Sequence, residues 1–72
     1  MSEHMLEHEV KMLNQIAANF AWESDADKAA AAVASHVQRF WTARMRRELL
    51  EAESREPLDL SPLARQALRK LS

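Results

Sequence analysis

Cysteine and glycine are both absent from this chain of 72 residues. Without cysteine, the chain can form no disulfide, no thiolate metal site and no cysteine nucleophile. Without glycine, it lacks the glycine-rich loops that bind phosphates in nucleotide-binding proteins. Pro57 and Pro62 are the two prolines, and strand-forming residues are scattered. Because strong helix formers such as alanine, leucine, glutamate and arginine dominate, the composition predicts helices.

Long hydrophobic segments are also missing from the sequence. No apolar run approaches the roughly 20 residues that a membrane-spanning helix needs. The segment from Met1 to His4 is acidic, and it lacks the basic start and the apolar run of a signal peptide. The chain also contains no cysteine that would indicate export. We therefore expect a cytoplasmic protein that makes no membrane contact.

The chain is short, and its charges are unevenly distributed. Seventy-two residues make one domain at most, and domains of this size often depend on association for stability. The net charge is −1, but residues 1–37 contain two basic and six acidic residues, whereas residues 38–72 contain eight and five. This layout favours a protein partner, because a nucleic-acid-binding module is typically strongly basic.

Apolar residues recur at helical spacing along four segments. In the first segment, spacings of three or four residues separate Leu6, Val10, Leu13, Ala17 and Phe20, which is typical of one apolar helix face. Within a single domain of residues 1–72, the sequence predicts helices over 3–20, 25–41, 43–53 and 62–71. We therefore expect an all-α fold. It would be a small helical bundle built on an antiparallel helical hairpin, with two shorter C-terminal helices packed against it.

Short polar residues mark the predicted helix starts. The predicted caps are Ser2, Ser24, Thr42 and Ser61, and Pro62 follows the last of these at the first helical position. The second helix has a run of four alanines over residues 29–32, where another backbone could approach closely. Its large residues stand at its C-terminal end, so this helix is predicted to have a slender half and a bulky half.

Three histidines are candidates for metal binding or acid–base chemistry. His4 and His8 lie one helical turn apart, and residues 4–8 match the His-x-x-Glu-His order of inverted zinc proteases. However, the pair lies in the first turns of a short chain without an obvious third ligand, which favours surface histidines. His36 has no acidic neighbour at helical spacing, which favours a packing or hydrogen-bonded role over acid–base chemistry. We predict no catalytic residue, no metal site and no cofactor, with a zinc protein built on His4 and His8 as one alternative.

Arginines alternate with large apolar residues near the middle of the chain: Arg39, Phe40, Trp41, Arg44, Met45, Arg46 and Arg47. Arginine, tryptophan and methionine are enriched at the centres of protein interfaces, so the stretch favours a partner-binding surface. A solvated helix face around a buried tryptophan would show the same residues. A third interpretation is a homodimeric module that binds nucleic acid through residues 39–47, although three glutamates follow within six residues.

Three uncharged amides, Asn14, Gln15 and Asn19, lie on the first predicted helix. The first two flank its apolar face. Side-chain amides both donate and accept hydrogen bonds, so they can connect one backbone to another, within a domain or across an interface. Residues at the edge of a core are the other interpretation.

Three stretches of the sequence are similar to a known family. Residues 14–20 read Asn-Gln-Ile-Ala-Ala-Asn-Phe, residues 36–46 read His-Val-Gln-Arg-Phe-Trp-Thr-Ala-Arg-Met-Arg, and residues 60–63 read Leu-Ser-Pro-Leu. Together they resemble the delta subunit of bacterial NAD-dependent formate dehydrogenase. The similarity covers residues 13–71, and the stretch from Phe40 to Arg46 is its specific part. Thr42 and Ala43 replace the Asp-Pro usual in that family, and threonine caps a helix as aspartate does.

The resemblance implies a role that the composition does not show. In that family the alpha subunit holds a molybdenum or tungsten pterin and iron–sulfur clusters, and the beta and gamma subunits carry electrons to flavin and NAD. The delta chain holds no cofactor and is an accessory subunit of the complex. The resemblance therefore implies docking on the large subunits, the alpha subunit foremost, and leaves self-association of the isolated chain open. The expected interface residues are Asn14, Gln15, Asn19, Arg39, Phe40, Trp41, Arg44, Met45 and Arg46.

Overall fold

Four helices make up the described part of the molecule. The computed structural model describes the backbone of residues 3–72 and the side chains of residues 6–72. Helix α1 spans Glu3–Asn19, α2 spans Ala26–Phe40, α3 spans Ala43–Arg55 and α4 spans Pro62–Lys70. No strand occurs within residues 3–72. The predicted all-α fold class is therefore confirmed.

Side chains that accept hydrogen bonds from backbone amides begin the last three helices. Thr42 Oγ1 accepts from the Met45 amide at 3.1 Å, and Ser61 Oγ accepts from the Ala64 amide at 3.2 Å, as predicted for both caps. The prediction that Ser24 caps α2 is wrong. The cap is Asp25, whose carboxylate accepts from the amides of Asp27 and Lys28 at 3.0 and 3.1 Å. A carboxylate is favoured there because its full charge faces the positive end of the helix dipole. The predicted cap Ser2 lies outside the described residues.

The connections between these helices are made without glycine. No described residue has a positive φ, the conformation that most often requires glycine. The junction between α2 and α3 consists of two extended residues, Trp41 with φ −95° and ψ 149° and Thr42 with φ −73° and ψ 158°. No helix within the described residues has the length and apolar character needed to cross a membrane.

The core lies where all four helices meet, and α2 and α4 pack most closely of all the helix pairs. Small residues permit this approach, since Ala29, Ala30 and Ala34 of α2 and Ala64 and Ala67 of α4 are all buried. The largest fully buried side chains are Leu13, Leu49, Leu68, Val33 and Val37. At the slender half of α2, Asp27 binds Lys70 of α4 at 2.8 Å, so α4 lies beside that half.

A linker of residues 56–61 connects α3 to α4, and the amide of Asn14 on α1 holds its end. Asn14 Nδ2 donates to the carbonyl of Asp59 at 3.0 Å, and Asn14 Oδ1 accepts from the amide of Ser61 at 2.8 Å. One side chain thus satisfies two backbone groups that are 45 and 47 residues away in sequence. These bonds fix the start of α4 against α1.

A second polar contact holds the beginning of the linker to both helices it joins. Glu53 of α3 accepts from the amide of Leu58 at 2.7 Å and from Nε of Arg65 on α4 at 2.7 Å. Arg65 also donates to the carbonyl of Leu58. Partial burial alone would raise the pKa of the Glu53 carboxyl. The hydrogen bond from Leu58 and the ion pair with Arg65 outweigh that effect and lower this pKa.

Candidate partner-binding groove

An apolar groove opens where α1 faces the junction between α2 and α3. We call it the Phe40 groove, and it has a volume of about 330 Å³. Clefts of this size accept large apolar side chains or small ligands. Three helices and the junction contribute to its lining, which consists of Met12, Gln15, Ile16, His36, Phe40, Trp41 and Met45. Two polar residues, Gln15 and His36, therefore interrupt an otherwise apolar surface.

Two neighbouring aromatic residues at the end of α2 have opposite environments. Phe40, the last residue of α2, is 69% exposed, whereas Trp41 is only 6% exposed and belongs to the hydrophobic core. The Trp41 amide donates to the Val37 carbonyl at 2.8 Å, which completes the last turn of the helix. The ring of His36 lies one turn earlier, with its centroid 4.7 Å from that of Phe40. A large aromatic ring therefore stands exposed on the rim of the groove.

The arginines of the sequence motif lie around this groove in different settings. Arg44 is exposed, and its Nε donates to Glu48 Oε1 at 3.0 Å, one turn along α3. Arg39 and Arg47 are exposed and form no ion pair within the described residues. Arg46 is half-buried, and its buried Nε has no hydrogen-bond partner within the described part. Positive charge therefore accompanies the groove at the end of α2 and the beginning of α3.

The structure brings together four of the nine residues expected at an interface. Gln15, Phe40, Trp41 and Met45 line the groove, and the three arginines stand next to lining residues in sequence. The amide of Asn14 is instead used within the domain, on the linker. Asn19 is exposed at the end of α1 and does not line the groove.

Glu9 of α1 is a buried acid that the sequence analysis did not single out. Its residue surface is 2% exposed, and neither carboxylate oxygen has a hydrogen-bond partner within the described residues. Burial raises the pKa of Glu9, the negative charge of Glu48 on α3 raises it further, and His8 acts in the opposite direction. Helical spacing carried a signal for this burial, because Glu9 stands three residues after Leu6 and four before Leu13 on the apolar stripe.

Of the candidate histidines, His36 lines the groove and His8 does not. His8 is exposed on α1, and the side chain of His4 lies outside the described residues. Among the described residues, no group of three histidine, aspartate or glutamate side chains is placed to hold a metal ion. His36 packs against Phe40, the kind of role predicted for it.

Comparison with protein-family models gives a match over most of the chain. Residues 8–68 match the family model described as the NADH-dependent formate dehydrogenase delta subunit, FdsD. No curated protein and no solved structure matches the chain. The matched segment includes the Phe40 groove, both contacts of the linker and most of α4.

Proposed function

Because the chain belongs to the family of NADH-dependent formate dehydrogenase delta subunits, we propose that it is a non-catalytic accessory subunit. In this proposal it docks in the cytoplasm on the large subunits of a formate dehydrogenase, the alpha subunit foremost, and stabilises or helps assemble the complex. The family match over residues 8–68 carries the proposal.

The Phe40 groove supports the docking part of this proposal. An exposed aromatic residue beside arginine and methionine is the combination that is enriched in the centres of protein interfaces. Trp41 is buried, so its replacement would disturb the core and would not report on docking alone. Phe40 and Arg44 are exposed, which makes them better positions for testing an interface.

The test is capture of the tagged full-length chain from an extract of its own cells. Captured proteins are identified by mass spectrometry, and the eluate is assayed for formate-dependent reduction of NAD. We expect large formate dehydrogenase subunits and activity in a fixed ratio to the tagged chain. In cells that lack the chain, we expect less assembled large-subunit complex on a native gel.

Two results would overturn the proposal. The first is a capture that contains only the chain itself or nucleic acid while the extract retains formate dehydrogenase activity. The second is an unchanged amount of assembled, active complex in cells that lack the chain. Nucleic acid in the eluate, lost steeply with rising salt, would instead favour the alternative of a homodimeric module that binds through residues 39–47.

A further inference from the structure

Basic residues predominate in the sequence segments that line the Phe40 groove. The groove is lined from residues 12–16 and 36–45, which lie within the longer segments 10–22 and 28–47. These two segments contain six of the ten lysine and arginine residues of the chain and none of its eleven aspartates and glutamates. The nearest acids along α1 and α3 are Glu9, which is buried, and Glu48, which is bound to Arg44. The surface around the groove therefore favours a negatively charged partner.

The basic residues beside the apolar lining lie on α2 and α3. Arg39 is exposed beside Phe40, and Arg44 is exposed beside Met45. A partner that fits this surface has apolar residues in its centre and acidic residues on the side that faces α2 and α3.

The helical walls also restrict the conformation of the partner. No strand occurs in the described residues, so no sheet edge is offered to which an extended peptide could add. A channel between helices accepts the side-chain ridges of another helix, with apolar anchors spaced three or four residues apart. An amphipathic helix fits these requirements.

Two other occupants fit less well. A second copy of this chain, related by a two-fold axis, would bring two predominantly basic surfaces together, which is unfavourable. A nucleic acid would satisfy the arginines but would place charged phosphates against Met12, Ile16 and Met45, which are apolar. The observations therefore favour an acidic protein segment.

We infer that the Phe40 groove binds an amphipathic helix of a large formate dehydrogenase subunit, whose apolar residues enter the groove and whose flanking acidic residues face Arg39 and Arg44. This inference rests on the proposed function, since it names the surface by which that docking takes place. The ring of Phe40 is the apolar contact of the rim, and the basic residues select the sign of the partner's charge.

The test compares matched variants of the tagged full-length chain in the capture experiment. Phe40→Glu is paired with Trp22→Glu, because Trp22 is a second exposed aromatic residue, at 76%, and does not line the groove. Arg44→Glu is paired with Arg55→Glu, because each arginine is exposed on α3 and forms an ion pair with a glutamate one turn away. Circular dichroism checks that all four variants keep their helix content.

We expect Phe40→Glu to reduce the captured large subunit at least tenfold and Arg44→Glu to reduce it several-fold. Trp22→Glu and Arg55→Glu should stay within twofold of the unaltered chain. A photoreactive benzoylphenylalanine at position 40 should crosslink to a large-subunit helix with apolar residues three or four apart and acidic residues beside them.

The outcomes separate this inference from the proposed function. If the unaltered chain captures the enzyme and the groove variants capture it equally well, the groove inference is overturned and the proposed function stands. Equal loss in the control variants, or a crosslink to a basic segment, to nucleic acid or to a second copy of the chain, also overturns the inference. If the unaltered chain captures no enzyme subunit, the proposed function fails and the inference fails with it.

Discussion

The linker side of the molecule and its groove side differ in how completely their polar groups are paired. On the linker side, comprising residues 56–61 with Asn14, Glu53 and Arg65, each of these side chains makes at least two hydrogen bonds. On the groove side, comprising the Phe40 groove and the adjoining contact of α1 with α3, the buried polar atoms of Glu9 and Arg46 have no partner within the described residues.

This difference separates the contacts that hold the domain together from the surface that is open to a partner. The hydrogen bonds of the linker side join residues up to 47 positions apart and fix α4 against α1 and α3. On the groove side, Phe40 is exposed and the buried carboxylate of Glu9 has no hydrogen-bond partner within the described residues. An isolated small domain would be more stable without these two features. We therefore expect substitutions on the linker side to change stability and substitutions in the groove to change binding.

The largest effect is expected on the linker side, for Asn14→Ala. This change removes two hydrogen bonds and leaves the part-buried amide of Ser61 without its acceptor. We expect the free energy of unfolding to fall by about 2 to 3 kcal/mol, because an unsatisfied buried donor adds its desolvation cost to the lost bonds. Urea denaturation followed by circular dichroism measures this change.

Asn19→Ala is the matched control for that substitution. Asn19 lies on the same helix, is exposed and makes no side-chain hydrogen bond within the described residues, so its replacement should stay within about 0.5 kcal/mol. Equal effects of both variants would show that the Asn14 bonds to the linker contribute nothing to stability.

The next effect concerns the pH dependence of the Glu53 contact. The pKa of Glu53 is lowered in the folded chain, so its stabilising contribution is present above the unfolded pKa, near the ordinary value of 4.5. It is lost as the pH falls through the folded pKa. Glu53→Gln should destabilise the chain by about 1 to 2 kcal/mol at pH 7, since it removes a charge-assisted bond to Arg65.

The stability difference between Glu53→Gln and the unaltered chain should shrink as the pH is lowered, because the wild-type carboxyl then becomes neutral as well. Urea denaturation at several pH values measures this. Glu56→Gln, an exposed linker change, should alter stability by less than about 0.5 kcal/mol at pH 7. A difference for Glu53→Gln that is constant with pH would contradict the assigned ion pair.

A smaller effect of opposite sign is expected for Glu9 on the groove side. Its pKa is raised, so the folded chain binds more protons than the unfolded chain, and ionisation of Glu9 costs stability. That cost appears as the pH rises above about 4.5, the ordinary pKa of a glutamate, and is complete above the folded pKa. Glu9→Gln should therefore stabilise the chain at pH 7 by about 1 kcal/mol, because a neutral amide is less costly to bury than a carboxylate.

The gain from Glu9→Gln should disappear at a pH well below 4.5, where the wild-type carboxyl is protonated in both states. Thermal unfolding at two pH values measures it, with an expected rise in Tm of about 5 °C at pH 7. Glu7→Gln, on an exposed position of the same helix, should leave Tm nearly unchanged. Destabilisation by Glu9→Gln at pH 7 would mean that the carboxylate has a partner that stabilises its charge.

Local signals in the sequence predicted the helices and two of their caps, because those features depend on neighbouring residues. Thr42 and Ser61 accept hydrogen bonds from amides three residues away, a separation that a short sequence pattern can reveal. The bonds of Asn14 to the linker span more than 40 residues, and no spacing rule reports them. The sequence allowed such an amide to act within the domain or across an interface, and it could not choose between the two.

The same limit applies to the candidate site. Phe40 and Trp41 are consecutive, but α2 ends between them. The change of backbone direction leaves the Phe40 side chain exposed and the Trp41 side chain buried. The sequence placed both at an expected interface because residue type alone does not reveal the direction of a side chain at a helix end. The helical periodicity places Glu9 on the buried face of α1, but the prediction used only the apolar residues of that face.

The smallest change in stability is expected for Phe40→Ala, which tests whether the groove side is open. The ring is 69% exposed, so its removal sacrifices little buried area, and its contact with His36 lies at the surface. The free energy of unfolding should change by less than about 0.5 kcal/mol in urea denaturation, while capture of the large subunits falls. A loss above about 1.5 kcal/mol, within the range of core truncations, would mean that Phe40 supports the fold. In that case a weaker capture would reflect unfolding, and the contrast between a linker side that stabilises and a groove side that binds would no longer hold.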